Sequence, residues 1–288
     1  MNKNPFQKIL IGFAFSPNLK ANVFEAMRLA DYLGAHLYFL HVGSKSSAKE
    51  KTFKEILEDS PVQPKHLTVL WEEGKPVETI NEQCNKNNID LLLLGAMQRE
   101  NMVKFYMGSI ARKLTRNAPC SVLLLIKPSV VRKPSQRVVV NAFESPQTEN
   151  TIRTAFQFSQ ALGVLNLTLV EEINRSEVAA EAEDDRSLRK VTLRKEKLKR
   201  RELSRVREIL TRIPEALKKG LKIHSQSIFG TRGYSIGHYA KVVRADLLIM
   251  SASENRKGFI ERIFPKDLEH ILSELPTDVL IIKNKNNG

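Results

Sequence analysis

This sequence predicts an α/β protein built from two tandem, open, doubly wound parallel-sheet domains, and three observations predict it. The chain repeats itself, its apolar runs are short and bounded by polar turns, and helical periods separate those runs. The repeat comes first because it fixes the frame. KILIGFAFSPN (Lys8–Asn18) lies over RVVVNAFESPQ (Arg137–Gln147) at an offset of 129, which superimposes Ser16-Pro17 on Ser145-Pro146. The same offset sets Leu33-Gly34 on Leu162-Gly163 and LYFLHV (Leu37–Val42) on NLTLVE (Asn166–Glu171). A second offset, 156, sets Gly74 on Gly230 and IDLLLLGA (Ile89–Ala96) on ADLLIMSA (Ala245–Ala252), and one residue further, at 157, Pro119 matches Pro276. Two copies of one domain, 1–130 and 136–288, joined by the polar, proline-containing stretch 128–136, account for this order.

In the first copy the apolar runs 8–15, 36–42, 67–71, 90–95 and 121–127 are expected as buried strands. Val23, Met27, Ala30 and Leu33 follow helical spacing and end at Gly34, a helix stop. Strands that are apolar throughout and alternate with helices imply a parallel sheet covered on both faces. Right-handed crossovers make each copy a five-strand, Rossmann-like domain, and the two copies are expected to pack as an intrachain pseudo-dimer. Such sheets bind ligands beyond the carboxyl ends of their strands, where the strand order switches.

Composition narrows the function. The 288 residues carry 46 Lys and Arg against 32 Asp and Glu, a net charge of +14, with 42% hydrophobic residues. No apolar run approaches the ~18–20 residues of a membrane span, and the short run Ile9 to Phe15 reads as a strand rather than a signal segment. A cytoplasmic location is expected. The two cysteines, Cys84 and Cys120, lack metal-ligand spacing and read as buried thiols. The six histidines form no metal-binding pair, and His41, at the end of the second strand, reads as a packed residue. No G-x4-G-K-[ST] loop occurs, and GTRGYSIG (Gly230–Gly237) aligns with an ordinary strand-to-helix turn. Nothing joins a nucleophile to a base and an orienting group, so no metal site and no catalytic residue are expected.

The loop after the fourth strand is the informative one. It runs from Gly95 through Gln98 to Gly108-Ser109 and a helix, then through Ala118-Pro119-Cys120-x-Val122 into the last strand. A glycine at a strand end admits a ligand close to the backbone. A Gly-Ser opening a helix offers free N–H groups and the positive end of the helix dipole to a phosphate. In these residues the chain resembles the universal stress protein family in tandem form, whose motif here is G-x2-G-x9-G-[ST]. The resemblance implies an adenine nucleotide, ATP or AMP, with its base near Val42, with Leu94 and Gly95 below it and its phosphates at Gly108, Ser109 and Ile110. The chain departs from the motif at Gln98, and Ala14 stands where nucleotide-binding members carry aspartate. The second copy departs further, with Phe143 in that position, Ser251-x2-Glu254 for the glycine pair and Phe264-Pro265 for Gly-Ser. At most one site is therefore expected, in the first copy. Gly95 and Gly108 serve equally well as turn residues of the fold.

The second copy also carries an insertion, about 174–200, expected as a solvent-exposed helical extension overhanging the lost site. Residues 171–185 hold seven acids and one base, and 186–222 hold fifteen bases and four acids. Leu203, Val206, Leu210, Ile213 and Leu217 keep the spacing of a helix packed on the sheet. The two charged stretches either pair with each other or offer a docking surface over 174–201 to an unknown protein partner. Nucleic acid is not expected, because no aromatic residues interleave with the bases. Two functions follow from the resemblance: a stress-response regulator with one residual nucleotide site, or a nucleotide-independent scaffold that uses the insertion. An enzyme is not expected, with slow ATP hydrolysis a distant third, and either a monomer or a homodimer fits.

Overall fold

The computed structural model describes residues 4–95, 97–98, 105–106, 108–131, 135–178, 184–252 and 266–283. In the first half, β1 (Lys8–Phe13), α1 (Leu19–Leu33), β2 (His36–Val42), α2 (Ser47–Glu58), β3 (Leu67–Glu72), α3 (Pro76–Lys86) and β4 (Leu91–Gly95) follow one another. A two-stranded antiparallel hairpin, β5 (Met97–Gln98) with β6 (Phe105–Tyr106), then leads to α4 (Ser109–Asn117) and β7 (Ser121–Leu125). The second half repeats this with β8 (Arg137–Asn141), α5 (Thr148–Leu162), β9 (Asn166–Asn174), α6 (Asp185–Thr211), α7 (Glu215–Lys218), β10 (Lys222–Gly230), α8 (Tyr234–Val242), β11 (Leu247–Ser251), α9 (Lys266–Ser273) and β12 (Asp278–Ile282). Both α1 and α5 end on a left-handed glycine, Gly34 and Gly163.

One ten-stranded sheet runs through both halves in the order β10-β9-β8-β11-β12-β7-β4-β1-β2-β3. Every neighbouring pair is parallel except β12 with β7, where the halves meet antiparallel with Leu280 opposite Leu123. The expected pseudo-dimer is therefore a continuous sheet. Its strands are apolar on both sides because both faces are covered. Ile11, Leu37, Leu93, Val140, Leu169 and Ile249 face one core with α1, α2, α5 and α6. Leu10, Leu40, Leu92, Val139, Leu248 and Val279 face the other with α3, α4, α8 and α9. Each core crosses the junction, as Phe6 and Phe158 show by meeting edge to face at 5.8 Å.

Polar groups at the junction obey the same approximate two-fold relation. Ser121, first in β7, accepts the Lys283 N–H at 3.1 Å, and Asp278, first in β12, accepts the Ile126 N–H at 2.7 Å. Lys283 Nζ donates to the carbonyls of Thr115 and Ala118 at the end of α4, and Glu269 of α9 pairs with Arg112 and Arg116.

Three details differ from the sequence reading. β1 stops at Phe13, short of residue 15. From Asp185 on, the insertion and the packed helix form one continuous α6 of 27 residues, against 12 for α2, while Asn174 still belongs to β9 and Arg175–Glu177 form a 3-10 turn. Helix α6 ends at Thr211 before Pro214, so Ile213 and Leu217 are buried beyond its end. The alignment in the second strand also slips by one. Lys8 pairs with His36 whereas Arg137 pairs with Asn166, so Val42 corresponds to Glu172 and His41 to Glu171.

Candidate functional site

The strand order switches between β1 and β4, and the expected site lies at their carboxyl ends. Val42 is the last residue of β2 and half-buried, Leu94 is buried in β4, and Gly95 closes β4 opposite Leu125. Gly108 is the N-cap of α4 in an extended conformation, and among the described residues no side chain caps the helix there. Ser109 and Ile110 open α4 and are exposed, Ile110 by 46%. Strand ends and helix start thus stand along one edge of the sheet, with the helix offering uncapped N–H groups.

Asn22, in the second turn of α1, joins this set and was not foreseen. A β-carbon on Gly95 would lie 3.2 Å from Asn22 Oδ1, so the glycine leaves room for this amide to sit against the strand end. The oxygen is buried and accepts no hydrogen bond among the described residues. An acceptor in that state favours a donor-bearing ligand. No sequence signal marks it, since a polar residue on the first turns of a helix is ordinary.

An aromatic wall was also missed. The strand register sets Phe13, His41 and Trp71 side by side at the ends of β1, β2 and β3. Phe13 stacks on Phe53 at 4.1 Å, Phe15 lies over Trp71 at 6.3 Å, and His41 fills the gap with Nδ1 3.1 Å from the Phe13 carbonyl. Phe15 stays 38% exposed with Lys49 Nζ 6.0 Å from its ring. Phe13 and Phe15 at alternate positions, with Trp71 ending another strand, were the available signal. His41 is packed, as expected. Cys84 and Cys120 are buried as well, and a hydrogen bond with Cys120 together with burial pushes the Cys84 thiol up.

The second half fills its corresponding edge with its own side chains. Glu172, in the place of Val42, accepts the backbone N–H groups of Gly233 at 3.0 Å and Ile236 at 2.8 Å. A buried carboxylate thus sits on the positive end of α8. Phe143, in the place of Ala14, is covered by the Arg232 guanidinium at 3.4 Å. Glu171, in the place of His41, meets Arg205 of α6, which also binds Glu202 and the Ala142 carbonyl. Burial pulls the Arg205 guanidinium below its ordinary value while the nearby Glu144 opposes that. Helix α6 therefore reaches this edge through Arg205. Gln98 is described in its backbone alone, and Glu254, Phe264 and Pro265 lie outside the described residues.

Among the described residues, no group of three or more potential ligands could hold a metal ion, and no helix is long and apolar enough to cross a membrane.

The family model for the universal stress protein family matches residues 5–125. A universal stress protein of Methanocaldococcus jannaschii is 34% identical over 56 residues, 19% of this chain. The chain spans about a third, 33%, of that relative's length. Among solved structures, a functionally unknown protein of Pseudomonas aeruginosa superimposes with a TM-score of 0.69 at 16% identity, over 99% of this chain and 95% of the other. A universal stress protein of Archaeoglobus fulgidus does so with 0.66 at 15% identity, over 98% and 99%. At those identities the two structures establish the shared fold across both halves. Residues 5–125, which carry the glycine-backed strand end and the start of α4, match the universal stress protein family.

Proposed function

We propose that this universal-stress-type protein is a regulator with a single adenine-nucleotide site, for ATP or another adenine nucleotide, in its first half. The observations that carry the reading are the start of α4 at Gly108, with no side-chain cap among the described residues, and the buried Asn22 oxygen, without a described partner, against Gly95. Phosphate oxygens would be held by the N–H groups of Ser109 and Ile110, where the helix dipole favours an anion. The base would lie near Val42 and Leu94, with Asn22 Oδ1 as acceptor for an exocyclic amine. Ala14 supplies no carboxylate for a ribose, so modest affinity is expected. The role is binding rather than catalysis, since the site residues include no nucleophile with a base.

Calorimetric titration of the full chain with ATP, ADP and AMP, with and without Mg²⁺, tests this. One site per chain, lost in Gly108→Asp, supports the reading. Absence of heat at millimolar nucleotide sinks it.

A second reading has its own observation. Ala14 lacks the family's carboxylate and the second half is filled, which favours a nucleotide-independent scaffold that recruits a protein partner through 174–201. Deleting 177–200 and comparing captured partners would separate the two, because a nucleotide regulator keeps its calorimetric site in that variant.

A further inference from the structure

The outer face of α6 is cationic beyond anything that holds the fold together. Asp185–Arg201 carries nine basic and two acidic residues. At about 100° per residue, Arg186, Arg189, Lys190, Arg194, Lys197 and Arg200 fall within an arc of roughly 140°. All six are exposed, and no salt bridge joins any of them to an acid among the described residues. The opposite side of the helix faces the protein: Lys195 and Lys199 lie 5.9 and 5.8 Å from the Phe229 ring, and Val191 and Leu198 are half-buried. A capping box between Asp184 and Ser187 fixes the start of the helix, so the row is pre-formed.

Like charges three and four residues apart destabilise a helix, and cations in its first turns oppose the dipole. The row therefore costs the folded chain stability, as expected of a surface kept for an anionic partner.

We propose that this face of α6 binds duplex DNA through its phosphate backbones, without reading sequence. The arc has two flanks. Arg189 and Arg200 lean to one side, Lys190 and Arg194 to the other, and Arg186 and Lys197 occupy the centre. A helix about 10–12 Å across enters a major groove about 12 Å wide, where cations on both flanks reach the phosphates of both strands. The row is roughly 20 Å long at 1.5 Å per residue, two-thirds of a DNA turn. A flat anionic membrane would meet the centre of the arc alone, and the arc holds one apolar side chain, Leu193, which is too little for insertion. A protein interface would want aromatic anchors, which the row lacks. That lack excludes stacking on single strands, but backbone contact to a duplex needs only cations. The narrow major groove of A-form RNA does not admit a helix.

The test is fluorescence anisotropy of a labelled duplex of roughly 20 base pairs with the full chain, between about 50 and 200 mM salt. Two variants are compared. One carries Arg186→Gln, Arg189→Gln, Lys190→Gln, Arg194→Gln, Lys197→Gln and Arg200→Gln, and glutamine preserves the helix. The other removes the same charge elsewhere, through Lys51→Gln, Lys65→Gln, Lys86→Gln, Lys219→Gln, Lys222→Gln and Lys241→Gln. Equal circular dichroism in all three proteins establishes intact folding. The first variant should bind at least about tenfold more weakly, with the slope of log affinity on log salt reduced by about four or more. The second should stay within about threefold of the parent. Equal losses in both variants would overturn the proposal in favour of diffuse charge. So would row-dependent binding to phosphatidylserine vesicles with none to the duplex, or no duplex binding at the lowest salt.

Discussion

The two halves share a sheet order, two helical layers and a junction, yet they treat the same edge in opposite ways. In the first, Val42, Gly95 and the uncapped α4 leave backbone N–H groups and the Asn22 oxygen unanswered. In the second, Glu172 answers the α8 N–H groups, Arg232 covers Phe143, and Arg205 neutralises Glu171 and Glu202. Val42 against Glu172 separates the two strand ends, with Glu172 serving α8, the counterpart of α3 rather than of α4. The buried start of α8 is satisfied by the carboxylate of Glu172, because buried N–H groups without partners are costly, whereas the exposed start of α4 is open to water or a ligand.

The comparison breaks most visibly at Arg205. Arg205→Ala leaves Glu171 buried without its cation and Glu202 with Arg201 alone, and should lower stability by about 3–5 kcal/mol in urea unfolding of the full chain. A loss under about 1 kcal/mol would mean the cluster is solvated rather than paired.

The junction tests whether the pseudo-symmetry is functionally even. Ser121 is neutral, but burial, together with repulsion from Glu25 and Asp246, raises the Asp278 carboxyl to about 7, against the Ile126 N–H that favours its charge. Asp278 lines a cavity of about 60 Å³ with Glu25, Arg28 and Asp246. The folded chain holds this proton more tightly than the unfolded chain does. Its stabilising effect is therefore full below about pH 4 and is lost as pH rises through about 7, on the order of 4 kcal/mol. Asp278→Asn keeps the acceptor for Ile126, so thermal unfolding of the variant should be flatter over that window and higher at pH 8. An unchanged pH profile would place the origin of any pH dependence elsewhere.

Exchanging the key position sharpens the contrast further. Glu172→Val removes the carboxylate from α8 and should cost about 1–3 kcal/mol, measured by thermal unfolding. The reverse change, Val42→Glu, places a negative charge where the proposed nucleotide sits and should weaken its binding at least about tenfold, or 1.4 kcal/mol, by calorimetry. Equal affinity in Val42→Glu would remove the first half's edge from the nucleotide reading.

How far these differences could be read in advance depended on their range. Runs such as His36–Val42 and the helix ending at Gly34 were legible because burial on two faces and a left-handed stop leave local marks. The end of α6 before Pro214 was legible in principle and missed, because apolar spacing continued through Ile213 and Leu217. The one-residue slip before Asn166 was not legible, because a strand apolar on both faces tolerates either register by composition. That slip concealed the correspondence of Val42 with Glu172. Asn22 and the row Phe13–His41–Trp71 were hidden for a related reason, since each depends on which strands lie side by side.

By itself the sequence determined the repeat, the alternation of strands and helices, the place of Gly95 and Gly108, and the charged insertion. All of these rest on contacts and conformations within a few residues of each other or on internal similarity. The tertiary structure decided that β7 and β12 join two sheets into one, that Glu172 sits on α8, and that Lys195 and Lys199 lie over Phe229. Those outcomes depend on pairings across tens to more than a hundred residues, where burial and charge act through space and leave no mark on neighbouring residues.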